Sequence, residues 1–458
     1  MTKENRNPLA YAPIPGLMLK FAVPSIVAML VGALYNIVDQ LFIGQAIGPL
    51  GNAATNIAFP LSTLCISLAL MFGIGGASCF NLELGRGEKE KAPYYAGNSY
   101  SMLAISGIAL AVITLIFLDP MLKFFGSPEN VMPYAREYVS ITAIGFPFLI
   151  ITGGGGHLIR ADGSPQMTMI CNITGAVINT ILDAVFVMVF GWGMAGAAIA
   201  TVIGQICSSA LVFSYLFRYK TVKLEKKYFI IKKEYTLKAA SIGMAAFINQ
   251  IAMMIVIIVM NNSLNHYGSL SEYGAETALA CVGIVMKVNQ IMFSIVIGIG
   301  QGSQPIESFN YGAKNYKRVR DAFLMAVASG IGLSLIAFAF FQAVPEKILS
   351  LFGNADEKYF EFGAKFFRIF LFFTFLNPLQ PIVSTFFTSI GKPVRGIILS
   401  LSRQIVFFLP VLVILPAFMG MDGILFTGPL CDFLSAMVAI FMAAAELKNM
   451  NRLEKQNG

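Results

Sequence analysis

The chain says nearly the same thing twice. Phe124-Phe125-Gly126-Ser127 returns as Leu351-Phe352-Gly353-Asn354, with 227 positions between Phe125 and Phe352. Gly163-Ser164-Pro165 returns as Gly391-Lys392-Pro393, and Gly193-Met194-Ala195-Gly196 as Gly420-Met421-Asp422-Gly423. Gly73-Ile74-Gly75 answers to Gly298-Ile299-Gly300, and Gly85 to Gly312. The marks keep their order and nearly constant spacing, so whatever one half folds into, the other half repeats.

Composition decides the solvent. Of 458 residues, 57% are hydrophobic and only 12% charged. That is too apolar for a soluble domain. Within lipid only helices or closed barrels satisfy the backbone. The apolar runs are about 20–25 residues long and lack strict alternation, so helices are favoured over barrel strands. Two similar apolar halves imply a transporter with its path between the repeats.

Twelve apolar segments are expected, near 17–42, 52–80, 96–118, 131–158, 165–190, 194–217, 237–263, 277–306, 321–343, 360–390, 394–416 and 422–446. Basic residues gather in alternate loops: Arg86, Lys89 and Lys91; Arg160; Arg218 through Lys238; Lys314, Lys317, Arg318 and Arg320; Lys392 and Arg395. By the positive-inside rule these loops and both termini are cytoplasmic, in a multi-pass protein of the cytoplasmic (inner) membrane. The same placement explains the net charge of +8 without nucleic acid. The first apolar segment has no small-residue cleavage site and is expected to be retained. The fold class is therefore all-α: twelve transmembrane helices in two six-helix bundles, related by a pseudo-twofold axis along the membrane normal. The halves are an N-lobe (1–217) and a C-lobe (237–458), joined by a basic, solvated linker (218–236).

Ionisable groups inside such segments are costly and point to function. Asp39 lies about 6 Å below the outer end of helix one, Asp183 about 10 Å below that of helix five, and Thr201 about 9 Å into helix six. Asn179 is one turn from Asp183 on the same face. These four form an all-oxygen set in one layer, able to share a proton or hold a hard cation such as Na⁺. Two carboxylates in one dry site do not both carry charge cheaply, so the pair suits ion coupling. Pro24, fifteen residues before Asp39, permits a kink in helix one. The C-lobe has no acids at the matching positions. It has Lys287 in helix eight, Arg403 in helix eleven and Asp432 in helix twelve, either a structural ion-pair cluster or part of a substrate cleft. Tyr35, Asn36, Gln205, Gln250 and Met286 complete the candidate cleft. Met253, Met254, Met260 and Met292 add adaptable apolar surface.

Other chemistries find little support. No nucleotide-binding G-x-x-x-x-G-K-[ST] pattern is present, so energy comes from an ion gradient or not at all. Six cysteines lie in apolar stretches without metal-ligand spacing, and His157 and His266 are far apart. No structural metal, cofactor or enzyme activity is expected.

The segments Pro24, Tyr35-Asn36-Ile37-Val38-Asp39, Ile159-Arg160-Ala161-Asp162-Gly163-Ser164-Pro165, Asn179 to Asp183, and Gly300-Gln301-Gly302-Ser303-Gln304-Pro305 with Asn310-Tyr311-Gly312-Ala313 are recognisable together. The chain resembles the multidrug and toxic compound extrusion (MATE) family, most of all its MepA-type bacterial branch, over essentially its full length. The resemblance implies two bundles in a V around a cleft, alternating access, and export of cationic, often aromatic compounds in exchange for H⁺ or Na⁺; small lipophilic or cationic molecules and the bilayer are the expected partners, and a monomer is the expected working unit. It puts the family's N-lobe cation site on Asp39, Asn179, Asp183 and Thr201, and its kinking proline on Pro24. Some members carry C-lobe acids in helices seven and ten. This chain has Asn249 and Gln250 in helix seven and no embedded acid in helix ten, which places coupling in the N-lobe. The rival reading is a flippase for a lipid-linked or amphipathic anionic substrate, to which Lys287 and Arg403 lend support.

Overall fold

The structure, a computed structural model, describes residues 7–350 and 357–457. The repeat mark Leu351 to Asn354 lies outside the described residues. In the N-terminal half α1 is Ile14–Ala46, α2 Pro49–Arg86, α3 Ala92–Ile116, α4 Leu118–Phe124, α5 Met132–Ala161, α6 Pro165–Asp183 and α7 Gly193–Leu216. The C-terminal half has α8 (Lys233–Ser269), α9 (Ala275–Gly312), α10 (Tyr316–Ala343), α11 (Pro345–Ser350), α12 (Glu357–Phe370), α13 (Leu379–Ser389), α14 (Pro393–Leu401), α15 (Leu409–Met419) and α16 (Met421–Asn457). Eleven spans among the described residues are long and apolar enough to cross a membrane. The protein is an all-helical, multi-pass membrane protein.

The expected tenth segment is not one helix. It divides into α12 and α13, and residues 371–378 between them form turns. Pro378 follows Asn377 and cannot donate into a preceding helical turn, so a helix ends more easily here than it continues. Broken backbone at membrane depth is tolerated where protein buries it. The repeated glycine marks have a shared job. Gly163 (φ 85°) and Gly391 (φ 74°) both sit in the left-handed region that closes a helix. Ser164 N–H donates to Ile159 O, and Lys392 N–H to Phe387 O, the same closing bond in each half. Pro165 and Pro393 then open the next helix with φ already fixed.

The end that carries both termini and the basic loops, here the basic end, is where the halves meet. A Cβ on Gly75 of α2 would lie 1.9 Å from Ala239 O of α8, and one on Gly243 would lie 1.8 Å from Met71 O. Gly298 and Gly302 of α9 press in the same way on Ile26 and Ala22 of α1. Gly85 and Gly312 close the α2–α9 seam at Phe309 and Leu82. Small residues let backbones approach this closely. Gln304 of α9 adds bonds to Ser78 Oγ (2.9 Å) and Ile74 O (3.3 Å), and Asn310 one to Leu9 O (3.0 Å). Among the described residues, no hydrogen bond joins the two halves in their opposite ends.

The linker keeps most of its charged side chains exposed, as a solvated connector would, but part of its backbone docks on α3. Asn98 of α3, 1% exposed, donates to Tyr228 O and Ile230 O and accepts from Lys232 N–H. Ser101 Oγ donates to Phe229 O (2.7 Å), and Tyr94 stacks on Tyr235. A short amide and hydroxyl on α3 satisfy the linker's backbone, which otherwise would need water. The seventh segment's helix accordingly starts at Lys233 rather than 237.

Candidate functional site

In the N-lobe, Asp39 is 8% exposed and Asp183 is fully buried. Asp39 is thirteen residues past Ile26, about 220° round the helix from the α9 contact, which turns it into its own lobe. α1 runs on to Ala46, so Asp39 lies about 10 Å inside that end rather than 6 Å. Asp183 closes α6, where the backbone changes from α to a π-helical turn over Ala184–Val189. Such turns recur at functional sites. The two carboxyl groups are neighbours, with no hydrogen bond between Asp39 Oδ1 and either Asp183 oxygen. Asn179 Nδ2 donates to Thr201 Oγ1 at 3.2 Å, which ties α6 to α7. Asp39 Oδ1, both Asp183 oxygens and Asn179 Oδ1 are buried and receive no hydrogen bond. Four orphaned oxygens with no donor are costly unless a proton or cation joins them. Their hard-oxygen chemistry fits H⁺ or Na⁺, and two carboxylates are too few for a zinc-like site.

The C-lobe acid is different. Arg403 Nη2 donates to Asp432 Oδ1 at 2.8 Å. The Asn377 amide, with its nitrogen turned toward Asp432, donates to both carboxylate oxygens at 2.8 Å. Asn377 comes from the broken stretch before α13, and Arg403 from a π-helical turn over Ser402–Phe408. Asp432 is 4% exposed and saturated. This cluster is an ion pair inside the lobe.

The remaining candidates separate by the seam's register. Lys287 lies eleven residues before Gly298, about 20° from it round α9, and is exposed. Gln250 holds the same relation to Ala239 on α8. Asn36 is exposed on the α1 face that carries Ala22 and Met29, and its Nδ2 donates to Gly32 O. These three continue the seam's faces beyond the glycine contacts and line the gap there. Gln205 instead turns inward, its Oε1 buried against Gly145 of α5. Met286 packs on the edge of the C-lobe core. Tyr35 lies beside both N-lobe carboxyls. A groove between α9 and α10 is lined by apolar groups such as Val288, Ile291 and Phe340, as suits a lipid-facing surface.

Three comparisons with known proteins agree with this architecture. The MatE family model matches residues 24–185 and 244–414, once in each half. The chain belongs to the MatE family. It is 24% identical to the multidrug export protein MepA of Staphylococcus aureus, over 94% of each chain. It is equally similar to the MepA of Staphylococcus haemolyticus, over 96% of this chain and 95% of that one. A solved structure described as the outward-facing conformation of a multidrug resistance MATE family transporter superposes with a TM-score of 0.90. It is 21% identical and covers 98% of this chain and 99% of that one. MatE membership makes the protein a membrane transporter of the multidrug efflux family.

Three site residues of this MatE chain escape a reading by sequence. Tyr138 of α5 lies beside Asp39, Asp183 and Thr201; a lone tyrosine in an apolar run gives little signal. Asn377 hides in a phenylalanine-rich segment, and only the Asn-Pro step marks it. Glu307 is fully buried in α9, near Ser303 and Ser389, with both oxygens unpartnered. The expected helix ends at 306, which leaves Glu307 in a loop, whereas α9 runs to Gly312.

Proposed function

We propose that the chain is an ion-driven exporter of amphipathic, aromatic compounds, exchanging them for H⁺ or Na⁺ across the cytoplasmic membrane, with the basic end inside. The observation that carries this reading is the set of four orphaned oxygens in the N-lobe. A proton or Na⁺ taken there removes the repulsion between Asp39 and Asp183 and draws α1 toward α6 and α7. Pro24 lies between the Ala22 and Ile26 contacts with α9. It frees the carbonyl one turn earlier and lets α1 bend at the seam. Ion binding at Asp39 thereby acts on the helix that seals the lobes. Contacts confined to the basic end correspond to an outward-open state, and exchange follows when the lobes rock the other way. The N-lobe has its own coupling site, so a single chain suffices.

The test is dye transport into proteoliposomes of the full chain, with pH and Na⁺ gradients imposed separately. One gradient is expected to drive uptake, and Asp39→Asn with Asp183→Asn to abolish the drive. Uptake that remains gradient-driven in the double variant overturns the reading.

A further inference from the structure

We infer that Lys287 is the recognition point for an acidic group on the cargo, so that the cleft takes amphipathic anions and zwitterions. The inference rests on the cleft being the cargo site, and it adds the cargo's charge.

Lys287 is exposed and about 16 Å above the Gly298–Ile26 contact, near the middle of the membrane. No acid pairs with it among the described residues. Its direction round α9 is the one that closes on the N-lobe at Gly298 and Gly312. It therefore faces the gap between the lobes and not the lipid. Among the described residues the wall around it carries no carboxylate. On the seam faces the positions beyond the contacts are Asn36 and Gln40 on α1, Gln250 and Met253 on α8, and Gln290 on α9. Asp39 and Asp183 are turned into the N-lobe, and Asp432 is saturated by Arg403 and Asn377.

An unpaired cation in a low-dielectric cleft attracts an anion more strongly than it would in water. Amides beside it add hydrogen bonds to a carboxylate, sulfonate or phosphate. Methionine supplies an adaptable surface for the apolar body. A purely cationic cargo would meet the Lys287 charge as repulsion. The expectation of cationic cargo is thus the part of the family resemblance that this wall does not favour. The acidic group has two sources, a free aromatic acid or the phosphate of a lipid headgroup.

The experiment is equilibrium binding of two rhodamines to the purified full chain in detergent, read by fluorescence anisotropy. One dye carries a free carboxylate and the other is its ethyl ester, with the same ring system. Wild type should bind the acid at least tenfold tighter. Lys287→Met should erase that preference, Lys287→Glu invert it, and Lys287→Arg keep it. Displacement by a short-chain phosphatidylglycerol, set against displacement by a soluble aryl carboxylate, names the source; stronger competition by either anion than by phosphatidylcholine supports the inference. Equal binding of acid and ester by wild type overturns it. So does a preference that survives Lys287→Met. Binding needs no gradient, so a failure of ion-driven transport leaves this result standing, and a lost acid preference leaves coupled transport of either dye intact.

Discussion

In the N-lobe, Asp39, Asp183 and Asn179 bring four oxygens together without a donor for any of them. In the C-lobe, Asp432 receives Arg403 on one side and Asn377 on both oxygens. The two lobes share a fold and a repeat, yet one carboxylate site is open and the other is filled by the protein itself. A filled site holds its geometry and exchanges nothing. An open one has a stable form only with something bound, which is the condition for a site that loads and unloads. Duplication supplied two lobes, and at Asp432 the protein's own charge partners fill the site.

The sharpest way to break that contrast is Asp432→Ala. It leaves Arg403, only 15% exposed, without its partner and should cost about 3–5 kcal/mol of stability. Thermal unfolding in detergent reads this, and the double replacement Arg403→Met with Asp432→Leu should recover most of the loss. If Asp432→Ala stops transport while leaving stability untouched, the C-lobe site is functional and the contrast falls. Next in size is Asp183→Asn. Gradient-driven transport should drop at least about 100-fold, equivalent to about 2.7 kcal/mol in barrier. Stability should hold or rise, since a buried oxygen without a donor gives way to an amide. A large loss of stability there would make Asp183 a frame residue too. Glu307→Gln asks whether the C-lobe keeps a second open carboxylate. The amide can donate to Ser303 or Ser389, so unfolding should move up by about 1 kcal/mol with transport unchanged; a loss of coupling would place a second exchanging group in that lobe. The smallest effect concerns the repeat itself. Lys314 has φ 58° where the first half has Gly87 at φ 84°. Lys314→Gly should stabilise by up to about 1 kcal/mol, because it removes the Cβ penalty of the left-handed region.

Much of this is legible in the sequence because the signals are periodic or repeated. Gly163 and Gly391 mark helix ends by the same backbone chemistry, and their recurrence by itself divides the chain into two halves. Asp39, Asn179, Asp183 and Thr201 fall in one layer by counting rise along helices, since a helix converts sequence distance into depth. Direction round the helix axis is harder. Gln205 and Gln250 look alike in sequence, but Gly145 receives one while the other continues the face of Gly243. Arg403 and Asp432 give no hint of Asn377, whose contribution depends on a helix break in a run of phenylalanines. The linker, basic and polar, reads as solvated because nothing in it announces Asn98, which lies far away on α3. Such contacts depend on a partner's side chain, and one segment's composition does not carry them.

The seam of glycines has a consequence for how the molecule responds to its medium. Among the described residues no ion pair spans the two lobes; each pair lies within one lobe or the linker. The contacts that do span them are backbone approaches and hydrogen bonds, most of them between neutral groups, with Arg318 reaching the carbonyls of Leu9 and Ala12. Ionic strength acts on charge pairs and hardly on such contacts. Parting the lobes should therefore proceed at much the same rate in dilute and in concentrated electrolyte.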